Sequence, residues 1–472
     1  MGLCFLHFPH FPMKKTLFVQ PRHVYAPSEG HGHIYSPTSL WTVGSKLIQA
    51  GADIDFVDEN IRPAETDKYG TIGINLVGAP YIPLVRERFR NILDSKNVLI
   101  GGQIVTGLSP SQFKTLFGER AIPGTHHSTV AESVGATFEN LKTDKDVSLI
   151  PAYEKISDDD MREYLDPGRE TSFYLGQGCI FNCTFCPAAK NMPEKYRNSE
   201  VLERDLTYLT ERALKLGIHQ LNMYLSNLDV FQNTEKLSQF ASVIQSLKRQ
   251  YPDFTYRMRG LATVAMFRNA LRDNPKVVRA MKDCGFHTVG FGIDGGSEKT
   301  WRSVKKGHNS RSAIMQSMQG CKEYGFTPET IMVFGHLRED KDSLENAVRL
   351  TDELQKKFGA VPRPHVAKDL IPGNDYWQNT IKRATRADRT DRARRIQLLL
   401  EQPKYFQAMD FKALASSVSH SNEILRHMVN KYYKTITKMS GNPRELIYPI
   451  APEFSDEKNA SHQKENLLRF DR

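Results

Sequence analysis

The chain of 472 residues holds only six cysteines and three tryptophans. So few cysteines cannot staple a chain of this length as a disulfide framework, and nothing marks it as secreted. The thiols are therefore read as reduced and the protein as cytoplasmic. No apolar run approaches the roughly 18 to 20 residues that cross a bilayer. The apolar opening "MGLCFLHFPHFPMKK" lacks a basic region before its apolar run and an A-x-A-like cleavage site. Met13 is a candidate start, because "MKKTLFV" opens a strand directly, and Cys4 is then incidental. A continuous basic stripe is also missing. Net charge is +10, but the densest run, "IKRATRADRTDRARR" at 381–395, is interleaved with acids. That pattern reads as a solvated helix face or a contact for an acidic substrate, so nucleic acid is not expected as a partner. What remains is ordinary globular material, 39% hydrophobic and 25% charged, long enough for two or three domains.

Against this scarcity, "GQGCIFNCTFCPAAK" at 176–190 crowds three cysteines together. Cys179, Cys183 and Cys186 are spaced C-x3-C-x2-C, and a structural zinc site would want four ligands, typically as two C-x2-C pairs. Cys284 and Cys321 lie far away in apolar helical settings and read as buried small hydrophobes. Three thiolates without a nearby fourth suit a [4Fe–4S] cluster with one iron left open. A substrate or cofactor can bind that open iron directly.

With Phe185 just before the last cysteine, the loop resembles the signature of radical S-adenosylmethionine enzymes. The resemblance implies that "TSFYLGQG" is the first strand of a partial (β/α)6 barrel, running into the loop. It also implies that the methionyl amine and carboxylate chelate the open iron. One electron then cleaves the sulfonium to a 5′-deoxyadenosyl radical. The downstream pattern agrees, since strands alternate with helices six times from about 170 to 370. "NPKVVRAMKDCG" is a helix capped by Asn274, and "PHVAKDLI" the last strand. "CGFHTVGFGIDGGSEKTWRSVKKGHN" looks like the family's fourth-strand region, where Asp294 stands for the usual Glu and would reach the cofactor's polar groups. "VFGHLREDKDS" and "LIPGNDYW" are similar to the fifth- and sixth-strand motifs, with His336-Leu337-Arg338 and Asn374 as departures. Arg257 and Arg259 share one face of the third strand. Arg259 is favoured for the methionyl carboxylate, which suits a bidentate guanidinium; the alternative is a salt bridge at the barrel rim. In place of the family's "GGE" stands "LSNLDVFQN", with Ser226 and Asp229 as candidate cofactor contacts. The pairing of Asp229 with Phe231 looks like the subgroup whose barrel follows a cobalamin-binding domain.

The first third reads as alternating strands and helices: "KTLFVQPRH", "SPTSLWTVGSKLIQAGADIDFVDE", "GTIGINLVGAP", "YIPLVRERFRNILDSKN" and "VLIGGQIVTG". This doubly wound layout offers a crevice at its strand ends, and it is similar to the subgroup's cobalamin domain. Gly101, Gly102 and Gln103, with Gly124 on the next strand, are expected to line the corrin crevice, where small residues let a ligand approach backbone. The D-x-H-x-x-G motif that supplies a cobalt ligand elsewhere is absent. His31 and His33 read as loop histidines rather than ligands. The expected fold is thus α/β: a Rossmann-like cobalamin-binding domain at 14–150 and a radical S-adenosylmethionine partial barrel at 166–375. A helical region at 376–450, guessed as a cap over the barrel mouth, and a tail at 451–472 follow. The resemblance implies cobalamin-dependent methyl transfer to an unactivated carbon of a small molecule or peptide, fed by an electron donor such as flavodoxin or ferredoxin. Rearrangement, ring contraction or epimerisation without methyl transfer is the alternative.

Overall fold

Every residue of β1 (Thr16–Gln20) is buried, and its side chains divide between two cores, Phe18 in one and Leu17 and Val19 in the other. A strand covered on both faces belongs inside a parallel sheet. It is joined by β2 (Ile54–Asp58), β3 (Thr71–Asn75), β4 (Asn97–Gly101) and β5 (Ile122–Pro123). All pair in parallel, in the order β2-β1-β3-β4-β5. That order is doubly wound, with its switch point between β1 and β3. One helix was expected over 81–97, but Phe89 breaks it into Tyr81–Arg88 and Arg90–Ser95. Phe89 leaves helical geometry at φ −108° and ψ 16° and is fully buried. The computed structural model describes residues 15–23, 36–125, 127–188, 192–336, 339–367, 371–384 and 391–403, with 431, 432, 435 and 438 beyond them. Met13, His31, His33 and the 451–472 tail lie outside the described residues.

The second sheet is built from β6 (Thr171–Phe173), β9 (Gln220–Leu225), β10 (Thr255–Ala262), β11 (Phe286–Gly292), β12 (Thr327–Phe334) and β13 (Val361–Val366). The six are parallel and open, in the order β13-β12-β11-β10-β9-β6. Between them run the helices Ser199–Lys215, Thr234–Gln250, Pro275–Asp283, Arg311–Tyr324 and Lys341–Phe358. Leu202, Leu206, Leu209 and Ala213 of the first are all buried, as the helical stripe requires.

Three elements differ from the sequence expectation. "TSFYLGQG" is not one strand: after β6 the chain breaks, and β7 (Gly176–Cys179) pairs antiparallel with β8 (Met192–Tyr196). A side chain at Gly176 would fall 2.5 Å from the Lys195 carbonyl oxygen, so this hairpin closes only on glycine. The last strand is Val361–Val366, earlier than "PHVAKDLI", and carries Pro362 and Pro364. Proline lacks the N–H a central strand needs, and β13 is an edge strand bonded only to β12. Finally, Val264–Asp273 forms a helix with no counterpart in the sequence reading, capped by the Thr263 side chain accepting from Met266 N–H.

The helices Asp375–Ala384 and Asp391–Glu401 open the region expected to cap the barrel mouth, most of which lies outside the described residues. Trp377, Ile396, Leu399 and Leu400 are buried in the core of the first sheet. The stripe at i, i+3 and i+4 draws them there. Among the described residues no helix is long and apolar enough to cross a membrane.

Candidate functional site

Cys179 ends β7, and Cys183 and Cys186 sit in the loop crossing towards β8. All three are half-buried and outside any disulfide. The loop is shaped from within: Cys186 N–H donates to Cys183 C=O at 3.2 Å, and Ala188 N–H donates to the Cys186 Sγ at 3.4 Å. Burial holds the Cys179 thiol above its usual range and pushes Cys183 up to about 11. Among the described residues no three His, Cys, Asp or Glu side chains converge on one ion. A single zinc would need ligands within about 2.3 Å of one point. Cluster thiolates bind separate irons and need no such convergence, so the loop as placed fits a cluster. Cys284 and Cys321 are fully buried, with Cys284 Sγ donating to Ala241 C=O at 3.1 Å.

The strand ends of the barrel hold this loop. Ile180 N–H donates to Gln232 Oε1 at 2.9 Å, and Thr184 N–H donates to Val304 C=O at 3.1 Å. Asp375 N–H donates to Thr184 C=O at 3.0 Å. The Phe181 ring lies 4.0 Å from that of His308, and Phe185 lies 5.2 Å from His336. Phe185 thus packs on the loop after β12, at the very departure His336.

The expected cofactor contacts separate into two groups. Asp294 is buried at φ 51° and forms an ion pair with Lys306, whose charge reaches Cys183 and Cys186. Arg259 does not join it. It lies three residues before the end of β10, and its Nε meets both Glu170 oxygens at 2.5 and 2.6 Å. Glu329 lies 3.6 Å away and the Tyr224 ring 4.7 Å. Burial works against its charge, but the two carboxylates hold it above the usual arginine range. Arg259 thus forms the salt bridge that was the alternative reading, while Arg257 on the same face is exposed. Asp229 is also committed: Oδ1 accepts from Phe231 N–H at 3.1 Å and Oδ2 from the Thr263 hydroxyl at 2.7 Å. It ties the loop after β9 to the cap of the next helix, and burial lifts its carboxyl to about 7. The Ser226 hydroxyl donates to Phe173 C=O at 3.2 Å.

Side chains absent from the sequence reading fill the remaining space. Glu194 of β8 accepts from Asn227 Nδ2 and, at 3.3 Å, from Gln232 Nε2; burial raises it to about 8. Asn227 Oδ1 is buried with no partner. His308 Nε2 is likewise buried and unpartnered, and burial lowers that imidazole to about 4. Lys306 and His308 belong to the fourth-strand motif, in its closing "VKKGHN"; Glu194 stands in a strand too short to announce itself.

At the first sheet, Gly101 and Gly124 adjoin: a Cβ on Gly124 would sit 3.1 Å from Gly101 Cα, while one on Gly101 would meet nothing within 4 Å. Gly102 has φ 111°, and a Cβ there would strike Leu76 O at 2.2 Å. Gln103 is exposed. Just beyond, Gly107 packs so tightly on Gly373 that a Cβ would fall 2.1 Å from its backbone nitrogen. Gly373 in turn faces Pro187 of the cysteine loop, where a Cβ on the glycine would lie 3.6 Å from that of the proline. The carboxyl ends of the two sheets therefore meet.

Residues 173–351 match the model of the Radical SAM superfamily. This segment is a radical SAM domain. Its boundaries run from β6 into the helix after β12, enclosing the cysteine loop. The chain is 21% identical to hopanoid C-2 methylase from Rhodopseudomonas palustris, over 73% of this chain and 65% of that one. The chain spans less than two thirds of the length of its first relatives, 46% and 65% for two named as methyltransferases. In fold it resembles the radical S-adenosylmethionine methyltransferase TsrM from Kitasatospora setae, solved with cobalamin and a [4Fe–4S] cluster. There the TM-score is 0.58 and the identity 14%, covering 79% of each chain. It also resembles the cobalamin-dependent S-adenosylmethionine radical enzyme OxsB with aqua-cobalamin, at TM-score 0.57 and 12% identity, over 97% of this chain and 84% of that one. Both sheets, in front of and within the radical SAM domain, thus have the architecture of those proteins.

Proposed function

We propose that the protein is a cobalamin-dependent radical S-adenosylmethionine methyltransferase acting on an unactivated carbon of a small molecule or peptide. The observation that carries this reading is the meeting of two sheet edges at Gly107, Gly373 and Pro187, a glycine-rich crevice on one side and the cysteine loop on the other. When bound, the cluster supplies the electron that cleaves the sulfonium of S-adenosylmethionine, and the cobalamin carries the methyl group. The protein's own part is binding, orientation and exclusion of water.

Cys179, Cys183 and Cys186 would hold the cluster. Asn227 Oδ1, buried and unpartnered, and the Glu194 carboxyl form an acceptor corner that fits the methionyl ammonium. Gly101, Gly102, Gln103 and Gly124 would offer backbone and open space to the corrin. The rings of Phe181 and His308, and of Phe185 and His336, pack in pairs around the loop and would orient it. In this reading residues 14–150 form the cobalamin-binding domain and 166–375 the radical domain. A reducing cytoplasm and a flavodoxin- or ferredoxin-type donor would keep the cluster supplied. The methyltransferase names of the relatives support the same reading.

Anaerobic reconstitution with iron, sulfide and hydroxocobalamin tests it. Cluster and corrin absorption in equal amounts per chain are expected. A chain that takes up the cluster but binds no hydroxocobalamin would remove methyl transfer and leave the bare radical chemistry.

A further inference from the structure

Lys306 is only 5% exposed, and an ammonium is not buried without a partner. Its partner is Asp294, 3% exposed. The chain is bent to make this pair. Asp294 and Lys305, at φ 51° and 58°, are the two non-glycine residues with positive φ among those described. Gly292 is open for the same purpose: a Cβ there would lie 2.5 Å from Lys306 Nζ and 2.9 Å from Asp294 Oδ2. Trp301 Nε1 donates to Ile293 C=O at 2.7 Å and Lys306 N–H donates to Trp301 C=O at 2.6 Å, knitting the turn to the end of β11.

The same turn grips the cysteine loop. Val304 C=O accepts from Thr184 N–H, between Cys183 and Cys186. Lys305 pairs at 2.7 Å with Asp375, whose N–H donates to Thr184 C=O. His308 covers Phe181, between Cys179 and Cys183. The ammonium is therefore carried by a turn bonded to the loop at Thr184 and packed on it at Phe181, and its charge acts on the Cys183 and Cys186 sulfurs. A buried ion pair on strained backbone stabilises a fold less well than apolar packing would. Its place on the turn that grips the cysteine loop gives it a second use.

We propose that Lys306, held by Asp294 and Gly292, is the positioning residue that sets the reduction potential of the cluster on this loop. The proposal rests on the reading of the three cysteines as cluster ligands. Reduction adds one negative charge to the cluster and its thiolates, and a fixed cation in a poorly screened interior favours that state.

The test is a redox titration of the full, anaerobically reconstituted chain, followed by the paramagnetic signal of the reduced cluster. S-adenosylmethionine is left out, so that any contact of Lys306 with that molecule does not contribute. Lys306→Met should lower the reduced-to-oxidised ratio at fixed potential about tenfold, about 59 mV for a one-electron couple. Lys306→Arg, which keeps the charge, should titrate close to the parent. The double variant Lys306→Met with Asp294→Asn should stay below the parent. The proposal is overturned if Lys306→Met titrates with the parent, or if the double variant returns to the parent value, since a stranded Asp294 would then explain the shift. It is overturned equally if the Arg variant shifts as far as Met. If Lys306→Met takes up no iron, Lys306→Gln replaces it under the same criteria; failure of both while Arg loads supports a requirement for the charge, and failure of all three overturns it. A parent chain that takes up no iron would instead fail the cluster reading itself.

Discussion

The two sheet edges that face each other are built on opposite plans. At the end of β4 and β5 the site is backbone: Gly101 open, Gly124 beside it, Gly102 forced to glycine by Leu76. At the end of the barrel strands it is side chains, buried and committed, with Lys306 on Asp294, Asp229 on Thr263, and Glu194 on Asn227 and Gln232. A wide, largely apolar ligand needs room and backbone, whereas a zwitterionic cofactor needs fixed polar groups. The contrast teaches that glycines stand out in a sequence on their own, whereas the other half depends on which side chains pair.

The largest expected effect breaks the barrel side outright. Replacing Cys179, Cys183 and Cys186 together by Ala should abolish iron uptake, measured as iron per chain, while Cys284→Ala and Cys321→Ala should leave it intact. Next comes the buried clamp behind the hairpin. Arg197 donates to Val147 C=O at 3.0 Å and to Tyr174 C=O at 2.9 Å and pairs with Asp205, which also accepts from Leu149 N–H at 2.9 Å. Both side chains are fully buried, so Arg197→Ala strands a carboxylate and should cost about 3–5 kcal/mol in denaturant unfolding.

Smaller effects sharpen the crevice. Gly102→Ala should cost about 1–3 kcal/mol, because its positive φ and the Leu76 carbonyl both oppose a side chain. Gly101→Leu should fold like the parent, since its Cβ direction is open, yet lose hydroxocobalamin binding. If Gly101→Leu binds the corrin as before, that face of the sheet is not the crevice.

The smallest effect is a slope. Burial raises Asp58 to about 6 and Asp229 and Glu339 to about 7, against roughly 4 for carboxyls in an unfolded chain. The native state then binds more protons than the unfolded one across that window. These groups therefore make stability fall as pH rises from about 4 to about 7, with no further loss above. Asp229→Asn, an isostere of the protonated acid, should flatten the slope in thermal unfolding scans across that range. An unchanged slope would show that Asp229 is ionised in the fold.

Much of the architecture was legible because period and punctuation agree. The barrel helices carry clear apolar stripes, and Gly325 and Gly359 end two of them in left-handed conformation. The misses have local causes. β8 is five residues long and partnered only by β7, so no periodicity marks it, and Glu194 was lost with it. The last strand was placed three residues late, because "PHVAKDLI" carries the apolar pattern while β13 runs through Pro362 and Pro364, which an edge strand tolerates. For Arg259 a strand face fixes direction, not height: three residues below the strand end it pairs with Glu170, a partner the sequence does not announce. Beyond 376 the chain reads as helical and polar, and the short apolar stripe of Ile396, Leu399 and Leu400 that joins the first sheet's core is lost among its charges.

The central claim is that crevice and cysteine loop serve one chamber. It is tested most directly by the cob(II)alamin paramagnetic resonance of the fully reconstituted chain, recorded before and after the cluster is reduced. With the sheet edges meeting at Gly107, Gly373 and Pro187, the cobalt signal should split or broaden when the cluster gains its electron. A bound corrin whose signal is unchanged beside a fully reduced cluster would contradict the account.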